Sequence, residues 1–136
     1  MPPLSSSVSD PVLETRIFWD RYTKEIVAAV LAAFLAIAGF GGYRYYQARR
    51  DSAAAELLAG AKKSADFEKV ITQYSGTPAS ASAYLFLAEE ERKEKRYEAA
   101  NVTLESFIDK NPKHQLKGTA RMAMAANLES LGKRDE

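Results

Sequence analysis

Residues Ile26 to Tyr43 form an uncharged run of eighteen positions holding nothing more polar than glycine or tyrosine, in a chain where charges are otherwise frequent. That length lies at the lower end of what an α-helix needs to cross roughly 30 Å of hydrocarbon at about 1.5 Å per residue. The flanks suit the same reading. Phe18, Trp19 and Tyr22 precede the run, and Tyr43, Tyr45 and Tyr46 follow it, as expected where amphipathic rings settle at headgroup level. Arg21 and Lys24 on one side, with Arg44, Arg49 and Arg50 on the other, are placed to reach lipid phosphates. The anchor is therefore expected over residues 17–46, with Ile26, Leu31, Phe34 and Leu35 facing lipid.

Two other uses of an apolar run fit less well. A secretory signal would take Ile26 to Leu35 as its apolar core and Ala36-Ile37-Ala38 as a cleavage site. The preceding segment is long for that role, carries Asp10, Glu14 and Asp20, and the uncharged run continues past the cut. A buried helix in a soluble core would need a much larger protein around it than 136 residues supply. Within the run, Ala28, Ala32, Ala36 and Gly39 put small side chains where a second helix can approach closely. The "GFGG" stretch, Gly39 to Gly42, follows no strand and completes no phosphate-binding glycine motif. Flanking positive charge is nearly balanced and leans slightly toward a cytoplasmic C-terminus.

Residues 1–16, rich in Pro and Ser, are expected as a mobile tail. After the anchor, Ala53, Leu57 and Ala61 recur at helical spacing, so a helix is expected to run on to about Lys63. Asp66 is then placed to cap a second helix bearing Phe67, Val70, Ile71 and Tyr74. The stretch "SASAYLFLAEEERKEKRYEAANVTLESFIDKNPKH" divides at "KEKR" into two amphipathic halves, with Tyr84, Leu87 and Ala88 inward on the first and Tyr97, Ala100, Leu104, Phe107 and Ile108 inward on the second. Pro78 of "GTP" and Pro112 of "KNP" stand 34 residues apart, each closing one apolar helix and preceding another.

This pattern resembles a tetratricopeptide repeat, with Tyr84, Leu87, Ala88, Ala100, Leu104, Phe107 and Pro112 as its core positions. Two of its residues depart from the usual pattern: Glu91 replaces a common aromatic and Phe107 a common small residue. In "RMAMAANLESLGKRDE" a second copy starts, with Lys133 opposite Lys95, and the chain is expected to continue beyond Glu136. Met124, Leu128 and Leu131 would then show an exposed apolar stripe. The expected fold is all-α: one N-terminal transmembrane helix, then tetratricopeptide-repeat-like hairpins of an α-solenoid over residues 47–136.

Anchor and repeat together, carried by "FWDRYTKEIVAAVLAAFLAIAGFGGYRYYQARR" and "FEKVITQYSGTPASASAYLFLAEEERKEKRYEAA", resemble the ancillary Sec translocon subunit family across residues 17–136. The resemblance implies a bacterial inner-membrane protein with a cytoplasmic N-terminus and a periplasmic repeat domain. It implies association with the translocon, periplasmic chaperones and secreted clients.

Other chemistry finds little support in the sequence. Net charge is +1, from 19 basic and 18 acidic residues that alternate, so nucleic acid is not an expected partner. Without cysteine the chain has no thiol nucleophile or thiolate metal site, and His114, the single histidine, reads as a solvated turn residue. Glu89, Glu90 and Glu91 splay around a helix and read as a solvated face, and Arg92 to Arg96 as a polar hairpin tip. No enzyme, cofactor or small-molecule substrate is expected; partners are proteins and membrane lipid. Two roles remain: an interaction scaffold tethered to a membrane, or a subunit that braces another envelope complex.

Overall fold

The computed structural model describes residues 11–132, all of whose regular structure is helical. The helices are α1 (Pro11–Gly60), α2 (Ser64–Gln73), α3 (Pro78–Lys93), α4 (Tyr97–Lys110) and α5 (Lys117–Ser130). α1 begins inside the segment expected as a tail; residues 1–10 of that segment lie outside the described residues. The chain divides into two units, Met1–Arg44 and Tyr45–Glu136, and α1 contributes to both.

In the first unit, no glycine or proline interrupts α1 between Val12 and Ala38, so neither of the two strongest helix breakers falls there. Gly39, Gly41 and Gly42 interrupt nothing. A helix is the form in which a lipid-exposed backbone satisfies its own polar groups. Arg21–Gly60 is long and apolar enough to cross a membrane, and among the described residues its most apolar stretch is exposed.

The second unit is held by two apolar clusters. Ala54 near the end of α1 joins Phe67 and Val70 of α2 and Ala79, Ala83 and Leu87 of α3 in the first. Ala81 and Ala88 of α3 join Ala100, Leu104 and Phe107 of α4 and Ala120 of α5 in the second. α3 therefore buries two faces. Alanine at 79, 81, 83 and 88 keeps the helix slim enough to be packed on both sides. Side chains that reach these clusters recur at intervals of three, four and seven, as an apolar helical face requires.

Short polar devices set the turns. At the start of α2 the Asp66 carboxylate accepts from the backbone N–H groups of Lys62 and Lys63, both at 3.2 Å. These two hydrogen bonds hold its carboxyl below the usual value of 3.8. Gly76, with φ of 82°, makes the left-handed step between α2 and α3. Thr77 then caps α3: its hydroxyl accepts from the Ser80 N–H at 3.1 Å and donates to the Tyr74 carbonyl at 2.8 Å, with Pro78 in the first helical turn. Arg50 of α1 donates to the Ser75 carbonyl at 2.8 Å, tying the second unit's first helical stretch to this turn. Lys95 takes the left-handed step between α3 and α4 at φ 60°, and the Arg96 N–H donates to the Glu91 carbonyl at 2.8 Å.

The same step follows α5 at Gly132, φ 74°. It is one residue earlier than the alignment of Lys133 with Lys95 implies, because the position requires left-handed backbone and glycine adopts it without the Cβ penalty. Lys133 itself lies outside the described residues.

Candidate interaction surface

Of the expected anchor residues, Trp19, Tyr22, Leu31, Phe34, Leu35, Tyr43, Arg44 and Tyr45 are exposed and Ile26 is half-covered. Ala28, Ala32, Ala36 and Gly39 are exposed as well. The Phe18 and Tyr22 rings lie 4.9 Å apart between centroids, and the Arg44 guanidinium lies 5.9 Å from the Phe40 ring centre. On the second unit the Arg49 guanidinium lies 5.4 Å from the Tyr45 ring and donates to its hydroxyl at 3.0 Å. Each pair joins residues four apart on α1, which brings its two groups onto one helical face.

The expected repeat core does not form one cluster. Ala88, Ala100, Leu104 and Phe107 are buried together, with Tyr84 half-buried against them. Leu87 belongs to the other cluster, on the opposite flank of α3, because adjacent helical positions point about 100° apart. Pro112 is exposed in the turn after α4, so it is not a core residue. The hydrogen bonds there come from Asn111, whose backbone and side-chain amides both donate to the Phe107 carbonyl, at 2.9 and 3.0 Å.

Three expectations about exposure are corrected. Glu89 and Glu90 pair with Arg92 and Lys93 at 3.1 and 2.7 Å, but Glu91 is only 7% exposed and accepts from the Thr103 hydroxyl at 2.7 Å. A carboxylate facing a hydroxyl between α3 and α4 thus occupies a site where a large ring is common in such hairpins. The Glu90 carboxylate raises the Lys93 ammonium above its usual value. His114 is half-buried instead of solvated: its ring meets Phe107 edge-on at 5.1 Å, and its Nδ1 accepts from the Leu116 N–H at 3.1 Å. Met124, Leu128 and Leu131 are half-buried, with Met124 packed on the second cluster, because α5 lies against α4. Asn127, 1% exposed, holds that contact by donating to the Asn101 side-chain oxygen at 2.7 Å.

Two of the open grooves on the second unit bear on binding. One, of about 570 Å³, is walled by Ala55, Leu58 and Ala59 of α1, Phe67 of α2, and Ala79, Ser82 and Phe86 of α3. Phe86 is 51% exposed, and its ring rests on Phe67 with centroids 5.7 Å apart. The other, about 200 Å³, lies among Leu85, Glu89 and Arg92 of α3 and Leu116, Thr119 and Ala123 near α5. Both mix apolar floor with a few polar groups and suit a protein side chain better than a small charged ligand. Among the described residues, no three carboxylate or imidazole side chains gather as metal ligands.

Sequence reasoning missed Leu85 and Phe86. The signal was present in "AYLFLA": an unbroken apolar run cannot all face one side of a helix, so some of it had to line a second surface.

The tetratricopeptide repeat-like domain family matches residues 16–136, most of the chain. No curated protein and no solved structure matches.

Proposed function

Because the chain belongs to the tetratricopeptide repeat-like domain family, whose members generally mediate protein–protein contacts, we propose that it is a membrane-anchored, non-enzymatic interaction scaffold. The observation that carries this reading is the double use of α1. The helix that holds the apolar run also supplies Ala54 to the first cluster and Ala55, Leu58 and Ala59 to the wall of the larger groove. A groove tethered by its own chain to an anchor raises the partner's effective concentration without any bond-making step.

The finer assignment is an ancillary subunit of the Sec translocon in a bacterial inner membrane, single-pass, with the N-terminus cytoplasmic and the repeat domain periplasmic, where chaperones or secreted clients would meet it. Its support is the combined resemblance of the anchor and repeat segments. A photo-crosslinking residue at Phe86, in intact membranes, is expected to capture translocon subunits, chaperones or emerging secreted chains. Crosslinks only from the Ala32 position, with none from Phe86, would assign the protein to bracing a membrane complex instead. A phosphatase fused after Glu136 is expected to be active; an inactive fusion would reverse the topology.

A further inference from the structure

α5 turns Ala120 and Asn127 into the hairpin, with Ala123 and Met124 on the flanks of that face. On the other side, Gly118, Arg121, Met122, Ala125 and Glu129 are exposed, and Met122 at 75% is the most exposed large apolar side chain in its unit. These residues recur at intervals of three and four, so they form one continuous stripe along the helix. Among the described residues, neither Arg121 nor Glu129 has an ion-pair partner.

The face is complementary to its own reversal about Ala125. Arg121 lies four residues before it and Glu129 four after; Met122 lies three before and Leu128 three after. In an antiparallel pair of helices crossing at Ala125, each Arg121 meets the Glu129 of the other copy, and each Met122 meets the other copy's half-buried Leu128. Alanine at the crossing point permits the backbones to approach to about 8 Å. A parallel pair would set Arg121 against Arg121 and Glu129 against Glu129. A two-fold axis forms the favourable contact twice, as self-complementary interfaces require. We infer that the outer face of α5 is a self-association surface whose occupant is the α5 of a second copy of this chain, antiparallel and centred on Ala125.

One helix pair buries less than the 1,200 Å² or so typical of stable specific complexes, so the contact is weak on its own and depends on copies being held close together. This goes beyond the scaffold reading and does not require its partner or topology.

The natural absence of cysteine makes the test direct. Full-length Ala125→Cys protein, purified in a mild detergent at a ratio that places several copies in each micelle, is oxidised with copper–phenanthroline. It is expected to form a disulfide dimer many-fold faster than Glu105→Cys, an exposed control on α4. On the Ala125→Cys background, Arg121→Glu alone and Glu129→Arg alone are each expected to slow dimerisation several-fold, and the two together to restore it. Three outcomes overturn the inference: equal rates at positions 125 and 105, a double swap no faster than the single ones, or, in native membranes, an Ala125→Cys adduct with a different protein and none with itself. The swaps lie on an exposed face and leave the clusters intact, so the same helical content in all variants separates loss of contact from loss of fold.

Discussion

The two units use the same kinds of side chain for opposite purposes. In the first, Phe34, Leu35 and Ile37 are each 72% exposed; in the second, Phe107 and Val70 are fully buried. The apolar residues of the first unit encircle the helix, so no single neighbour within the chain can cover them, and their favourable environment has to be external. Those of the two clusters in the second recur on restricted faces and cover one another. Apolar content is therefore not a measure of core: its angular distribution around the helix decides whether the chain or the surroundings removes it from water.

The contrast is testable by changes that should act on one unit and spare the other. Phe107→Ala empties the centre of the second cluster and is expected to cost about 3 to 5 kcal/mol in unfolding of the hairpins, while the protein still remains in the membrane fraction after carbonate washing. Simultaneous loss of retention would show that the anchor depends on the repeats. The reciprocal change, Leu35→Arg, places a charge near the middle of the apolar run and opposes insertion by about 2.5 to 3.5 kcal/mol. It should release protein from the pellet and leave the melting transition of the hairpins where it was.

Smaller effects resolve the polar contacts of the second unit. Thr103→Val removes the donor facing buried Glu91 and is expected to destabilise by about 1 to 3 kcal/mol in chemical denaturation. Glu91→Leu added to it should recover most of that loss, since two apolar partners leave nothing unsatisfied; no recovery would mean the carboxylate has a further role. Thr77→Ala, which deletes the α3 cap, should cost about 1 kcal/mol by the same measurement.

Asp66 gives the smallest effect, and its sign follows from its partners. The Lys62 and Lys63 N–H groups depress its carboxyl in the folded protein, so its contribution is present above the ordinary value of 3.8 and is lost as pH falls through the lower folded value. In wild type, stability should decline across that acid interval; Asp66→Asn should flatten this part of the profile. An unchanged acid limb would show that the carboxylate does not hold the α2 start in solution.

Much of this organisation is legible in the sequence because it depends on local spacing. The length and composition of Ile26 to Tyr43 specify a helix whose surface is apolar all round. The turns at "SGTP" and "KEKR" show where α3 begins and ends, since Gly, Pro and a capping Thr act on their immediate neighbours. The periodicity of Ala100, Leu104 and Phe107 identifies the face that α4 buries. Tertiary packing decided what spacing leaves open. Periodicity says that Glu91, His114 and Leu87 occupy certain angles on their helices or turns, but not what stands opposite them. Thr103 makes a buried place for Glu91, Phe107 gives His114 a ring to lean on, and the presence of α1 and α2 on the far side of α3 separates Leu87 from Ala88. A residue's angle follows from its own helix; its environment is set by whichever helix packs against that angle, often from far along the chain.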